Sequence, residues 1–289
     1  MNTTMFWSCT GINASELSFG TAQRISAQER TLLVELPCLG IPRLGFVCGI
    51  MDRGKNTDAA IMHYEQSHSL FWDMAHHINK KLSVLPANVY AVPDIPVVSK
   101  VSVNTLIAFV PALQRLAEGM ECGRLVLDCQ GQLYNPMTFF SIRAANQIVI
   151  PLGKATDAAY ALASIQRLVQ TYAQKPDKFI LAAAGNVRSI KGTLKARNKG
   201  SEALEGVAVT PWDSKKAKAM LTKTQRAPKA EDRRGKGVIL PFQDAAHRRD
   251  AKAEALVPQA DLQRVSIYAR APWKEEGARE MQIGESVYL

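Results

Sequence analysis

The first hundred and eighty or so residues alternate between short, fully apolar runs and longer stretches with a helical stripe. Thr4–Cys9 and Thr31–Leu36 (TLLVEL) read as buried strands, and Ser18–Glu29 reads as the helix between them. Pro37–Asn56 holds two prolines and four glycines, which predicts a long loop with a short helical turn. Thr57–Leu82 reads as helical material with Asp58 near its start, and Asn88–Val92 as a strand stopped by Pro93. Val103–Glu118 places Leu106, Ile107, Val110, Leu113 and Leu116 on one helical face, with Pro111 marking a kink. Strands at Gly123–Asp128, Gln147–Ile150 and Lys178–Ala183 follow, with a helix over Thr156–Ala173. Such alternation predicts an α/β fold, a doubly wound, mostly parallel sheet with ligands at the carboxyl ends of its strands.

Beyond Gly185 the pattern loosens. Gly206–Asp213 (GVAVTPWD) and Gly237–Asp244 (GVILPFQD) look alike, each a short strand, a proline, an aromatic residue and a helix-capping aspartate. Lys215–Lys236 reads as a helix followed by a loop, and Arg264–Ala269 as a strand in the tail. Residues 1–258 are expected to form the main α/β domain, with a basic insertion near 188–236, and 259–289 a C-terminal extension.

Charge sharpens this division. The 289 residues carry a net charge of +10, and the stretch from Arg188 to Lys236 alone has fourteen Lys/Arg against five Asp/Glu. The remainder is therefore nearly neutral, and a local excess of this kind points to a polyanionic partner or to a solvated insertion. Arg188, Lys191, Lys195, Arg197, Lys199, Lys215, Lys216 and Lys218 are the candidate polyanion-binding residues. The five cysteines include no C-x-x-C pair, and no apolar run approaches the roughly eighteen residues of a membrane span, so a cytoplasmic protein without a transmembrane segment is expected.

The chemistry centres on the first strand and its turn, Met5–Ala22. Here a helix N-terminus and backbone N–H groups would face a phosphate, yet no lysine lies between Met1 and Arg24. His63, His68, Asp73, His76 and His77 read as lying along one helix, at spacings that do not converge on a metal. Cys9, Cys38 and Cys129 follow strands and could gather at the carboxyl edge, either as thiol chemistry or as small apolar filling. Trp7, Phe19, Phe139 and Phe140 read as core or dimer-contact residues, and those in and beside the loop as candidates to fill the space that phosphates would leave.

The order of these features resembles the MinD/ParA branch of the P-loop ATPases. Asn88–Pro93 is similar to the family's strand ending in Leu-Pro, and Gly123-Arg-Leu-Val-Leu-Asp-Cys-Gln-Gly131 to its Walker B strand. Ala145–Pro151 and Thr156–Leu168 resemble the next strand and helix, and Val238–Asp244 the late strand whose turn, with Pro241 and Asp244, lies beside adenine. The family's Walker A motif falls on Thr10-Gly-Ile-Asn-Ala-Ser-Glu-Leu17. In that register Thr10 replaces the signature lysine, Ser15 the P-loop lysine and Glu16 the magnesium-binding hydroxyl, and Gly11 is the one glycine kept.

The resemblance implies vestigial Walker carboxylates at Asp128 and Glu35 and a nucleotide site, if any, built from Thr10, Gly11, Asn13, Ser15, Glu16, Pro241 and Asp244. A carboxylate facing a triphosphate at ~4 Å, with an effective dielectric near 20, costs on the order of 4 kcal/mol per charge pair before screening. The expectation is a degenerate, non-hydrolysing, dimeric scaffold or positioning factor in cell division, partition, or pilus or secretion assembly. No cofactor or metal is expected, ATP/Mg binds weakly at most, and a protein of the positioning machine is the partner. Two alternatives are a regulator holding DNA nonspecifically through its basic segment, and an active ATPase with a relocated lysine such as Lys55 or Lys154.

Overall fold

A computed structural model describes residues 1–37, 41–91, 96–183, 187–198 and 202–211. The chain divides into two compact units, Met1–Asp232 and Arg233–Leu289, and the second lies outside the described residues. So do the boundary expected near 258, the strand expected at Arg264–Ala269, Cys38, Lys199, Lys215, Lys216, Lys218, Pro241 and Asp244.

In chain order the elements are β1 (Asn2–Trp7), α1 (Ser15–Ser26), β2 (Thr31–Glu35), α2 (Leu44–Cys48), α3 (Thr57–Ser67), β3 (His76–Asn79), β4 (Leu82–Leu85) and α4 (Val103–Gly119). They continue with β5 (Arg124–Cys129), α5 (Pro136–Ala144), β6 (Gln147–Leu152), α6 (Ala155–Tyr172), β7 (Phe179–Ala183), α7 (Val187–Asn198) and β8 (Ala208–Pro211). One eight-stranded sheet results, ordered β3-β4-β2-β5-β1-β6-β7-β8. All pairs are parallel except β3 with β4. The expected doubly wound α/β architecture is what the chain forms.

The central parallel strands are covered on both faces. Every residue of β2, β5, β6 and β7 is buried, as a strand covered on both sides must be. On one face Phe6, Leu33, Val126 and Val149 pack with Leu17 of α1 and Leu44 of α2. On the other, Met5, Leu127 and Ile148 meet Ile61 of α3, Phe109 and Leu113 of α4, Leu162 and Ile165 of α6 and Ile190 of α7. α4 runs through Pro111 without ending, anchored at its start by Ser102, whose Oγ accepts the Thr105 N–H at 3.2 Å.

Two expectations fail on this side of the sheet. The strand expected at Asn88–Val92 is Leu82–Leu85, so the family-like Leu-Pro step is Leu85-Pro86. Pro86 stops the strand and Asn88 makes turn chemistry, its Oδ1 accepting the Tyr90 N–H at 3.0 Å while Ala91 N–H reaches Asn88 O. The helix expected across Thr57–Leu82 stops at Ser67, where His68 turns left-handed at φ 53°. The chain then makes a 3-10 turn at Trp72–Met74 and the edge strand β3, which separates the histidines and aspartate read as one helix.

Candidate functional site

The site lies where β1, β5 and β2 end side by side. Parallel register puts Phe6 and Glu35 on either side of Asp128, and α1 begins after the seven-residue loop that follows β1. Burial decides the chemistry here. Asp128 is fully buried; removal from water, with the Glu35 charge beside it, pushes its carboxyl up to about 7, although the Ser15 and Ser18 hydroxyls and Arg43 favour the ionised form. Ser18 Oγ donates to its Oδ2 at 3.3 Å, while Oδ1 has no hydrogen-bond partner among the described residues.

Glu35 is buried differently. Its Oε1 accepts the N–H groups of Arg43 (2.7 Å) and Leu44 (3.1 Å) at the start of α2, and its Oε2 accepts that of Ala87 (3.0 Å). Desolvation still raises its pKa against the lowering effect of these three donors. Gln130 ties the acids to the loop, its Nε2 donating to Ser15 Oγ at 3.2 Å and, at 3.4 Å, to Glu35 Oε1.

The loop itself is held at several points. Trp7 Nε1 donates to Gly131 O at 2.8 Å, Gln132 Nε2 to Cys9 O at 3.1 Å and Thr10 Oγ1 to Pro151 O at 3.3 Å. Gly11 turns the chain at φ 81°, a left-handed conformation that favours glycine. Asn13 Oδ1 accepts the Ser15 N–H at 2.9 Å and so takes up a donor that an anion at the N-terminus of α1 would use.

These contacts relocate several sequence readings. The helix starts at Ser15 and not Ser18; the hydroxyls beside Asp128 are those of Ser15 and Ser18, both buried, whereas Glu16 is exposed. Ala14, just before the helix, is buried. Of the aromatic residues, Trp7 is a core residue, as one reading of the sequence expects, and pins Gly131, and Phe139 packs on Phe140 and Tyr172. Cys9 and Cys129 are buried, and desolvation pushes the Cys9 thiol up to about 12, which opposes thiolate chemistry.

Of the relocated-lysine candidates, Lys55 and Lys154 are both exposed, and the cation that acts on Asp128 is Arg43. Arg188, Lys191, Lys195 and Arg197 are exposed on α7. No group of three or more metal-ligating side chains occurs, and no helix is long and apolar enough to cross a membrane, among the described residues.

The fold is shared with solved structures. A ParA family ATPase from Chlorobium tepidum superposes with a TM-score of 0.53 at 12% identity, over 79% of this chain and 94% of that one. The chain has the ParA/MinD fold. A chain of the MinC:MinD cell division protein complex of Aquifex aeolicus gives 0.53 at 10% identity, over 78% and 89% of the two chains. A single-residue variant of Cyanothece McdA, in complex with ATP, gives 0.51 at 14%, over 78% and 90%. No protein-family model matches the sequence, and no curated protein matches it significantly.

Within the ParA/MinD fold, the group to test is a magnesium nucleotide. Ser15 and the orphaned Asp128 oxygen are a donor set of the kind a hard cation takes. The loop between β1 and α1 offers the phosphates no cationic side chain, and one of the N–H groups at the start of α1, that of Ser15, is already used by Asn13. A triphosphate seated here would find no positive side chain in this loop. Three participants were missed in the sequence, namely Ser18, Arg43 and Gln130. The Asp-x-Gln spacing in the Walker B-like stretch was the available signal for Gln130; nothing in the sequence marked the other two.

Proposed function

We propose that this chain is a degenerate ParA/MinD-type protein that works as a dimeric scaffold or positioning factor without hydrolysing nucleotide. The supporting observation is a carboxylate pair and a hydroxyl kept in place around a loop with no cation, with buried Ala14 at the start of α1. A phosphoryl-transfer site needs positive charge where the equatorial oxygens develop theirs, and uncompensated carboxylates act against it. Cell division, partition and assembly of a pilus or secretion apparatus are the settings this reading allows; MinD-type proteins with a protein partner, as in the MinC:MinD complex, supply the analogy. Titration calorimetry with Mg-ATP, together with phosphate release, tests it. No heat of binding at micromolar nucleotide and no turnover are expected, and micromolar affinity with turnover would refute it.

One observation favours a second reading, an association with DNA. Arg188, Lys191 and Lys195 sit three and four residues apart on α7, share one helical face and are exposed. Phosphate contacts from such a face would be sequence-independent and salt-sensitive. Reversing all three charges should abolish retention on duplex DNA at low salt, and unchanged retention would exclude α7.

A further inference from the structure

The sheet has an open edge at β3. This strand pairs only with β4 among the described residues, and His77, Ile78 and Asn79 are exposed. Apolar surface flanks the edge. Trp72, 64% exposed, lies against the His77 ring with centroids 6.2 Å apart, on the side where His77 Nδ1 meets Ser83 Oγ at 2.9 Å. Ile78, at the irregularity in the strand, is 36% exposed, and Phe71, 51% exposed, lies against His63 of α3 at 5.3 Å. A helix or a smooth surface could cover the aromatic residues but would leave the outward N–H and C=O groups of β3 unpaired; another strand satisfies both requirements.

Charge selects which strand. Asp73 precedes β3 and Lys80 follows it, and both are exposed. An antiparallel pair of two β3 strands brings the acid end of each copy to the lysine end of the other, the self-complementarity that a two-fold interface requires. A bulge between His77 and Asn79 and the brevity of the strand blunt open-ended aggregation. Each copy has one β3, so an antiparallel pairing of β3 with β3 closes at two. We propose that a second copy of this chain occupies the β3 edge, joining two sheets through antiparallel β3 strands with Trp72 and Ile78 covered at the junction.

A monomeric full chain would overturn the dimeric part of the scaffold reading as well, whereas a dimer that the edge variants leave unchanged would overturn this proposal alone; the test uses the full chain without nucleotide, in sedimentation equilibrium across the micromolar range. The wild type should dimerise. Trp72→Glu combined with Ile78→Lys should weaken the dimer at least about thirtyfold, as loss of a central aromatic anchor does. Because Asp73 and Lys80 are exposed, substitutions there leave the core intact. Asp73→Lys alone and Lys80→Asp alone should each self-associate about tenfold more weakly, and an equimolar mixture of the two should recover a heterodimer of wild-type affinity. A monomeric wild type, a dimer unchanged by the Trp72/Ile78 variant, or two charge variants that fail to recover affinity on mixing overturns the proposal.

Discussion

Replacing Asp128 with asparagine should make the protein more stable, in a pH-dependent way that can be worked out from the site. The side chain is fully buried, and its carboxyl is raised from the ordinary 3.8 to about 7, first by desolvation and then by Glu35. Below about pH 4 the acid is neutral in both folded and unfolded chains and costs nothing. As pH rises from about 4 to about 7 the unfolded chain ionises freely while the folded one holds its proton, so stability falls across that window and the full cost is present above it. At about 1.4 kcal/mol for each tenfold difference in proton affinity, the cost above pH 7 is on the order of 4 kcal/mol, an upper bound because Glu35 titrates with it. The asparagine side chain keeps the shape and an acceptor for the Ser18 hydroxyl, and its amide can donate toward Glu35. Urea unfolding of wild type and D128N at about pH 5 and about pH 8 reads the effect: the variant gains a few kcal/mol at the higher pH, and much less at the lower. A variant that is no more stable at about pH 8, or that keeps the wild-type pH slope, would refute the argument that this carboxylate is uncompensated.

Two further substitutions test the parts around it. Glu35→Ala strands the buried N–H groups of Leu44 and Ala87 and the half-buried one of Arg43, and should cost several kcal/mol in denaturant unfolding, at about 1–3 kcal/mol for each buried orphaned donor. Gly11→Ala meets no neighbour within 4 Å but forces a side chain onto φ 81°, so a loss of about 1 kcal/mol or more, read as a lower melting temperature without a change in fold, is expected.

The central sheet was legible because a parallel strand buried on both faces is a continuous apolar run, as in Thr31–Glu35 and Arg124–Cys129. The edge was not. β3 is His-His-Ile-Asn, polar on its open side, and only its pairing with β4 makes it a strand. α5 was missed although Asn135-Pro136 is a strong helix start, the Asn135 side chain accepting the Met137 N–H. In the site, Asp128 and Glu35 were legible by position, but which hydroxyl meets Asp128 depends on where α1 begins. Ser15 N–H bonds to Asn13, which fixes that start three residues earlier than the apolar stripe indicated. Ser18, Arg43 and Gln130 reach the acids through strand register and loop closure, which carry no periodic signal along the chain.

The three bonds that hold the first loop, from Trp7 to Gly131, from Gln132 to Cys9 and from Thr10 to Pro151, also bear on how such a protein could be regulated. A loop that reports ligand occupancy must have two arrangements of similar free energy. This one is tethered to the segments after β5 and to β6, so a second arrangement would have to give up all three bonds together. On the proposed reading, the protein has no internal clock. The duration of any assembly it nucleates would be set by its own abundance and by its partners' dissociation rates.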